Sequence, residues 1–443
     1  MLYASEKQLP KEMTLPLLKQ MAEKEEKAVV HGAVHVIREM GDVSFVMLRM
    51  ATGLLQCVYD KATSGFDLQE IGEECCVEFS GNLHQEPRAP GGFELRITGV
   101  KVLSRPAAPL PYAIHKRNLN VTLETELATR AAALRSGNRR ARFRVQEGIV
   151  RGFRDYLHTQ GFTEIHTPKI VAASAEGGAN VFRMDYFGKK AYLAQSPQFY
   201  KQTLVAVYER VFEVGPVFRA EKHNTTRHLN EYTGLDFEMG YIHSFTEIMD
   251  MEAGMLQYVF NLLQRDYANE LRALQIELPS AEKIPTVRFR EAKEAIAAAY
   301  NRKIKDPFDL EPEEEQLISQ YYKEKCGSDF VFVTHYPAKK RPFYAMDDPE
   351  DPRYTLSFDL LFRGMEITTG GQRIHDYNEQ VEKMKAKNLD PADFESYLQL
   401  HKYGVPPHGG LGIGLERLCM KLFGDNNIRL SSMFPRDMNR IAP

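Results

Sequence analysis

Residues 211–242, VFEVGPVFRAEKHNTTRHLNEYTGLDFEMGYI, read as two strand-like runs joined by a polar loop. Val, Phe and Tyr crowd the two runs, and the stretch between them is Lys-, His-, Asn- and Thr-rich, so the segment is a strand–loop–strand hairpin. Arg219 and Glu221 stand where the first strand gives way to the loop. An arginine at a strand end carries its guanidinium fork on a rigid mount, suited to a phosphate or carboxylate. A second segment, PPHGGLGIGLERLCMKLFG at 406–424, has glycines at 409, 410, 412 and 414 before a helix that opens with Glu416 and Arg417. Close backbone approach followed by a cation suits a nucleotide. No G-x-G-x-x-G follows a strand and no GxxxxGK[ST] occurs, so the usual Rossmann and P-loop routes to a nucleotide are excluded.

Outward from these segments, Ile149, Phe153, Tyr156 and Leu157 repeat at helical spacing ahead of Gly161, and FTEIHTPKIV (162–171) reads as a strand. AYLAQ (191–195), FVFVTHYP (330–337) and FDLLFRGMEITTG (358–370) are also strand-like, while 243–276 and 379–402 read as helices. Without regular βαβ alternation, these runs predict an α+β domain over 145–443 with an antiparallel sheet flanked by helices. It carries an insertion at about 243–340, whose part from about 283 to 330 holds no interpretable motif.

Toward the N-terminus, AVVHGAVHVI, VSFVMLRM, LLQCVYD, CCVEFSG and FELRITGVKVL are short alternating runs punctuated by Gly, Asp, Asn and Pro. Five strands within residues 27–105 predict a small β domain over 1–110. On pattern alone an OB-type barrel, a fold whose strand face binds oligonucleotides, and a plain β-sandwich are both open. The proline-rich SRPAAPLPYAI (104–114) closes it, and 111–144 reads as a hinge ending in Arg135, Arg139, Arg140, Arg142 and Arg144. A net charge of −3 means that any nucleic acid must be held by a local basic patch. Apolar residues at 43% and charged residues at 26% exclude disordered and fibrous classes. Five cysteines without a CxxC pair, no signal-peptide pattern and no 18-residue apolar run predict a cytosolic protein with no membrane partner.

Strand FRAE, its loop, and GxGxGxER together resemble motifs 2 and 3 of the class II aminoacyl-tRNA synthetases, and GFTEIHTPKIV with Pro168 resembles motif 1. The resemblance is closest to aspartyl-tRNA synthetases of the archaeal and eukaryotic type, through FRAEKHNTTRHLNEYTGLDFEM, YPAKKRPFYAM, GGQRIHD and NIRLSSMFPRDMNRIAP. It covers nearly the whole chain and selects the OB barrel for the first domain. It implies ATP-dependent activation of L-aspartate, transfer to tRNA-Asp, Mg²⁺ as cofactor, and a homodimer, since motif 1 lies at the subunit interface in this class.

The resemblance also implies roles. Arg219, Glu221 and Arg417 are the expected catalytic residues, with Arg219 gripping both the α-phosphate and the amino-acid carboxylate. Arg227 and His228 would hold the γ-phosphate and Glu221 the adenine end. The adenine ring would lie between Tyr232 and Arg417, with Leu229, Glu366, Gly414, Leu415 and Glu416 completing the ATP site. Asp359 and Glu366 would carry Mg²⁺ with Thr369, which stands where the family usually has serine. The two carboxylates are seven residues apart, opposite faces of a regular strand, so convergence needs a bulge or turn near Gly364. Aspartate would be held by Glu176 of a mobile loop, Gln198, Lys201, Arg219, Thr369 and Arg373.

Asparaginyl enzymes share this architecture and usually lack the lysine, so Lys201 with Arg373 favours aspartate. An asparaginyl enzyme and a paralogue that binds RNA or makes an adenylate without charging tRNA are the competing readings. On the barrel, Phe45, Gln56 and Glu94 match the anticodon-reading positions, an aromatic for stacking and two groups for base edges. His35 and Pro90 stand where family members restricted to tRNA-Asp tend to carry tryptophan and lysine, which implies that tRNA-Asn is charged as well.

Overall fold

A computed structural model describes residues 13–172, 180–222 and 225–442. The chain divides into two compact units, Met1–Gly137 and Asn138–Pro443.

In the first unit, helix α1 (Leu15–Ala22) starts at Thr14, whose hydroxyl accepts from the Leu17 N–H. Strands β1 (Lys27–Met40), β2 (Val43–Met50), β3 (Gly53–Asp60), β4 (Cys76–Gln85) and β5 (Phe93–Ser104) close into a barrel in the order β1-β2-β3-β5-β4. Only the β3·β5 seam is parallel. Alternation puts Val30, Val46, Leu48, Leu55, Phe79 and Leu95 inside. The register of β1 against β2 shifts between Val34 and Val36, leaving His35 as the extra residue of a bulge. The barrel is the OB form, and the sandwich alternative falls.

The stretch expected as a hinge contains short helices α2 (Leu123–Ala128) and α3 (Arg130–Ala133), tied by a buried Arg130–Glu126 pair at 2.6 Å. Arg139, Arg140, Arg142 and Arg144 lie on α4 (Gly137–Thr159), which ends before Gly161. Arg142 pairs with Asp425 and Arg144 with Glu147, so this run is largely helix surface already engaged in ion pairs.

In the second unit, the expected strand 162–171 is broken by Pro168 into β6 (Thr163–Glu164) and β7 (Ile170–Val171), which join different sheets. There follow β8 (Arg183–Tyr186), β9 (Lys189–Leu193), α5 (Gln198–Tyr208), β10 (Arg210–Phe218), β11 (Glu231–Gly240), α6 (Thr246–Asp266) and α7 (Ala268–Leu274). Then come β12 (Thr286–Arg288), α8 (Phe289–Tyr300), α9 (Pro312–Cys326), β13 (Phe330–Thr334), β14 (Ser357–Phe362) and β15 (Met365–Arg373). Last are α10 (Tyr377–Ala386), α11 (Glu395–Lys402), β16 (His408–Gly414) and α12 (Leu415–Phe423).

The main sheet has eight strands in the order β12-β13-β14-β15-β16-β11-β10-β6, antiparallel except at its two edges. Its side chains sort by parity. Phe212, Leu235, Phe237, Phe358, Leu360, Phe362, Leu411 and Ile413 enter the core that also takes Ile149 and Phe153 of α4, Leu256 and Val259 of α6, and Leu418 of α12. The alternate positions face the other way: Asp236, Thr369, Gly412 and Gly414 toward the cleft described below, Val211 and Leu361 into smaller apolar clusters. The stretch expected as an insertion, about 243–340, runs from α6 to β13. Helix α6 is part of the main core and β12 and β13 are strands of the main sheet; the module β12–α8–α9 packs at that edge through a cluster of its own around Ile296 and Ile318, which Leu361 of β14 joins.

Candidate active site

The cleft opens on the polar face of β11, β15 and β16, with α5 above it. In DFE of β11, Leu235 and Phe237 point into the core, so Asp236 and Glu238 point to the cleft side. Across from them β16 carries glycine. A Cβ at Gly410 would fall 2.1 Å from the Phe237 carbonyl and 2.2 Å from Glu238 Oε2, so only glycine lets the carboxylate lie across that strand.

Two cations meet these two carboxylates. Lys201 of α5 is 2% exposed, and its Nζ donates to Asp236 Oδ1 at 2.9 Å and to the Leu411 carbonyl at 2.8 Å, with Glu238 Oε2 at 3.4 Å. Arg373, at the end of β15, donates through Nε to Glu238 Oε1 at 2.9 Å and through Nη2 to the Gly410 carbonyl at 2.9 Å. Burial pushes Glu238 up, but Arg373 and Lys201 outweigh it and hold the carboxyl below its ordinary value. For Asp236 burial wins over Lys201, and its value is raised.

Gln198 enters the same pocket from the first turn of α5. Its Nε2 donates to Gln202 Oε1 at 3.0 Å, and Gln202 Nε2 lies 2.9 Å from His408 Nε2. His408 Nδ1 is 2.8 Å from the Pro406 carbonyl, which can only accept, so the ring hydrogen sits on Nδ1 and Nε2 accepts from Gln202. Burial lowers His408 to about 4, which keeps this tautomer neutral.

At the other end, Arg219 leaves β10 with its guanidinium 5.8 Å from the centre of the Tyr232 ring. Asn230 Nδ2 donates to the carbonyls of Arg219 (2.8 Å) and Glu221 (3.2 Å), which shapes the strand exit. Glu221 Oε2 accepts from Asn180 Nδ2 at 3.3 Å. Arg227, His228 and Leu229 line the cleft beyond. His228 Nδ1 is 2.6 Å from the Thr225 hydroxyl, and burial together with Arg417 lowers its pKa. Arg227 pairs with Glu315 of α9. Gly414 and Arg417 line the cleft, and Arg417 Nη1 donates to the Glu366 carbonyl at 3.1 Å. Glu416 accepts from the Thr233 N–H through both oxygens, at 3.2 and 3.0 Å, and burial raises it to about 7. Its carboxylate is therefore engaged with the β11 backbone. The Leu415 side chain is in the core, away from the cleft.

Asp359 and Glu366 do converge, because they lie on two strands of one hairpin. Arg363 and Gly364, at φ 46° and 80°, make the turn, and Leu361 pairs with Glu366, so that Glu366 and Asp359 share a face. A register shift follows, Leu360 pairing with Thr368 and leaving Ile367 as a bulge, which brings Thr369 opposite Asp359 onto the same face. Thr369 Oγ1 donates to Glu366 Oε1 at 3.0 Å. Arg341 Nη2 donates to Asp359 Oδ1 at 2.8 Å. Burial and then the Glu366 charge push Asp359 up to about 6 against Arg341, while Arg417 and the Thr369 hydroxyl overcome burial and keep Glu366 low. Among the described residues no group of three or more His, Cys, Asp and Glu is set to hold a metal. Two carboxylates and a hydroxyl are nevertheless a hard oxygen set of the kind Mg²⁺ takes when substrate phosphates supply the remainder.

On the barrel, Gln56 Nε2 donates to Glu94 Oε2 at 3.0 Å, and Phe45 lies half-buried on the face shared with Met47, the register partner of Gln56. Gln56 and Glu94 are in contact, and Phe45 stands diagonal to Gln56 on the β2–β3 pair. His35 is 4% exposed, with Nδ1 3.1 Å from Arg49 Nη1, and Arg49 in turn donates bidentately to the Glu74 carboxylate at 2.6 and 2.7 Å. Pro90 is exposed at the start of the turn Pro90–Gly92 before β5. Glu176 falls outside the described residues.

Sequence reasoning missed Asp236, Glu238, Arg341 and Glu315. The first two were detectable as an i, i+2 carboxylate pair in the otherwise apolar run Leu235–Met239; Arg341 reaches the cleft, and Glu315 reaches Arg227 on its wall, from distant segments with no local signal.

An arginine at a strand end, a second on the helix that follows a glycine strand, and an antiparallel floor between them lie within residues 122–438, which match the tRNA synthetases class II (D, K and N), and the chain belongs to that family. Within it, the chain is 46% identical over 420 residues to aspartate–tRNA(Asp/Asn) ligase of Deinococcus radiodurans, covering 94% of this chain and 95% of that one. To the aspartate–tRNA(Asp/Asn) ligase of Thermus thermophilus it is 45% identical over 413 residues, 93% and 96% of the two chains. The crystal structure of asparaginyl-tRNA synthetase from Pyrococcus horikoshii with asparaginyl-adenylate superposes with a TM-score of 0.90 at 29% identity, over 98% of this chain and 100% of that one.

Proposed function

We propose that this synthetase activates L-aspartate with ATP and transfers it to tRNA-Asp and also to tRNA-Asn. The observation that carries the amino-acid choice is the buried quartet of Lys201, Arg373, Asp236 and Glu238. Two cations and two carboxylates cancel. Aspartate adds a side-chain carboxylate for Lys201 and Arg373 and an ammonium for Asp236 and Glu238, and these cancel too. Asparagine adds the ammonium alone and leaves a buried charge without a partner, at a cost of about 3 to 5 kcal/mol. That difference disfavours the asparaginyl reading.

Adenylation sets an oxygen of the aspartate α-carboxylate against the α-phosphorus of ATP, with pyrophosphate leaving. Arg219 would hold carboxylate and phosphate together, and its fixed strand-end mount reduces the reaction to in-line positioning and charge neutralisation. Arg227 and His228 would take the γ-phosphate, and the adenine ring would lie between Tyr232 and Arg417. Asp359, Glu366 and Thr369 would hold Mg²⁺, which when bound neutralises phosphate oxygens. No covalent enzyme intermediate is needed. In the second step the terminal ribose hydroxyl of tRNA attacks the acyl carbon and AMP leaves.

Phe45, Gln56 and Glu94 would read the anticodon. Relaxed tRNA choice is supported by His35 and Pro90, and by two relatives named for both tRNAs. A proline cannot donate to a base edge, so a contact worth about 1 to 3 kcal/mol is missing. The homodimer rests on the likeness of 161–171 to motif 1. Cytosolic residence is supported by five free cysteines, three of them buried, and among the described residues no helix is long and apolar enough to cross a membrane. The test is aminoacylation of purified tRNA-Asp and tRNA-Asn transcripts with labelled aspartate, beside ATP–pyrophosphate exchange with aspartate and asparagine. Exchange with asparagine alone would refute the amino-acid choice. A preference for tRNA-Asp above about 100-fold, the discrimination a 3 kcal/mol contact can supply, would refute the relaxed tRNA choice.

A further inference from the structure

The module β12–α8–α9 has no motif of its own, yet one of its side chains reaches Arg227, which lines the cleft. Glu315 sits in the first turn of α9. Its Oε2 accepts from Arg227 Nη2 and also from the backbone N–H of Glu366, the latter at 3.2 Å. The two side chains are 10% and 19% exposed.

Both ends of this link are anchored. Beside Glu315, buried Glu314 accepts from Lys293 Nζ of α8 at 2.6 Å and from the Glu311 N–H at 2.9 Å, which ties the start of α9 to its own module. The β14–β15 turn lies against the same helix: a Cβ on Gly364, at φ +80°, would come 3.2 Å from Gln316 Cα. The carboxylate therefore spans from a braced helix to the strand of Glu366, and takes only one of the five N–H donors of Arg227.

We propose that Glu315 is a positioning residue for ATP: it holds the Arg227 guanidinium in register with the strand that carries Glu366, so that the β12–α8–α9 module completes the triphosphate end of the site. The inference rests on the reading of Arg227 as a phosphate ligand. A guanidinium fixed in this way has already lost its rotamer freedom before ATP arrives, and the nucleotide gains by that amount.

The experiment is a double-mutant cycle in the full chain, with Glu315→Gln, Arg227→Ala and the pair, read by ATP–pyrophosphate exchange. Glu315→Gln is expected to raise KM for ATP about tenfold, the scale of one charge-assisted bond. KM for aspartate and the inhibition constant of AMP, which lacks the β- and γ-phosphates, are expected to stay as in the parent. In the Arg227→Ala background Glu315→Gln is expected to do nothing further. Additive effects, an equal loss of AMP binding, or an ATP KM that is unchanged or lower in Glu315→Gln would overturn the proposal while leaving the site reading intact. A normal ATP KM in Arg227→Ala would overturn both. Should Glu315→Gln melt early, Glu315→Asp, which keeps the charge one methylene short, carries the same cycle.

Discussion

Replacing Lys201 by methionine keeps the unbranched apolar stem, one atom shorter, and removes the charge from the bottom of the cleft. Two of the ammonium's three donors are spent, on Asp236 Oδ1 at 2.9 Å and the Leu411 carbonyl at 2.8 Å, and Glu238 Oε2 is an ion-pair contact at 3.4 Å. An incoming carboxylate would displace the longest of these, the contact to Glu238, which keeps Arg373 as partner. In the variant, Asp236, already raised by burial, also loses the Lys201 charge that lowers it, so its carboxyl is raised further and protonation is the route by which the empty fold sheds a bare buried charge. The substrate has no such escape, because its side-chain carboxylate and Glu238 would share Arg373 alone. Breaking a buried pair in this manner costs about 3 to 5 kcal/mol, or roughly a 100-fold to 1000-fold or greater loss of kcat/KM for aspartate at about 1.4 kcal/mol per decade. The assay is aspartate-dependent ATP–pyrophosphate exchange, with KM for ATP and the melting temperature as controls expected to hold near the parent. A folded variant whose kcat/KM for aspartate stays within about tenfold of the parent would show that Lys201 is not a side-chain ligand, since that is under 1.4 kcal/mol.

Phe45→Ala is expected to weaken tRNA charging by one base stack, about 1 to 3 kcal/mol, with exchange unchanged; equal damage to both reactions would make Phe45 a packing residue of the barrel. Glu252 is fully buried under β15, donates nothing, accepts from the Thr368 hydroxyl at 2.5 Å, and is pushed by burial up to about 8. Because its folded value lies above its unfolded one, stability is whole below about pH 4.5 and is lost as pH rises toward 8, at about 1.4 kcal/mol per unit. Glu252→Gln should therefore gain on the parent steadily across that window in denaturant unfolding, and a pH-independent difference would contradict the assignment. Gly410→Ala places a Cβ 2.1 Å from the Phe237 carbonyl, so it should cost at least about 1 to 3 kcal/mol of stability and impair aspartate activation; a normal melting temperature would refute that.

Much of this protein is legible in its residues because the governing physics is local. Alternation of apolar side chains marks the barrel strands and the hairpin 211–242, helical spacing marks α4, and FRAE with GxGxGxER places two arginines at the ends of elements whose type the pattern already dictates. Breaks inside elements were less visible. The run 243–276 is two helices with a kink at Tyr267, and 379–402 is two helices separated at Pro391, since an apolar period of 3.6 continues across a bend that the backbone does not.

What only the tertiary structure decided is which distant groups share a volume. Parity along one strand puts Asp359 and Glu366 apart, yet a turn at Gly364 folds them onto one face and a bulge at Ile367 adds Thr369. Asp236 and Glu238 acquire their meaning when α5 brings Lys201 over them, 35 residues away in sequence from the first. Glu315 reaches Arg227 across 88 residues. Sequence determines the chemistry each side chain can offer and the period on which it is displayed; how charges pair is set by the packing that encloses them, because a buried ion is stable only where the fold supplies its partner.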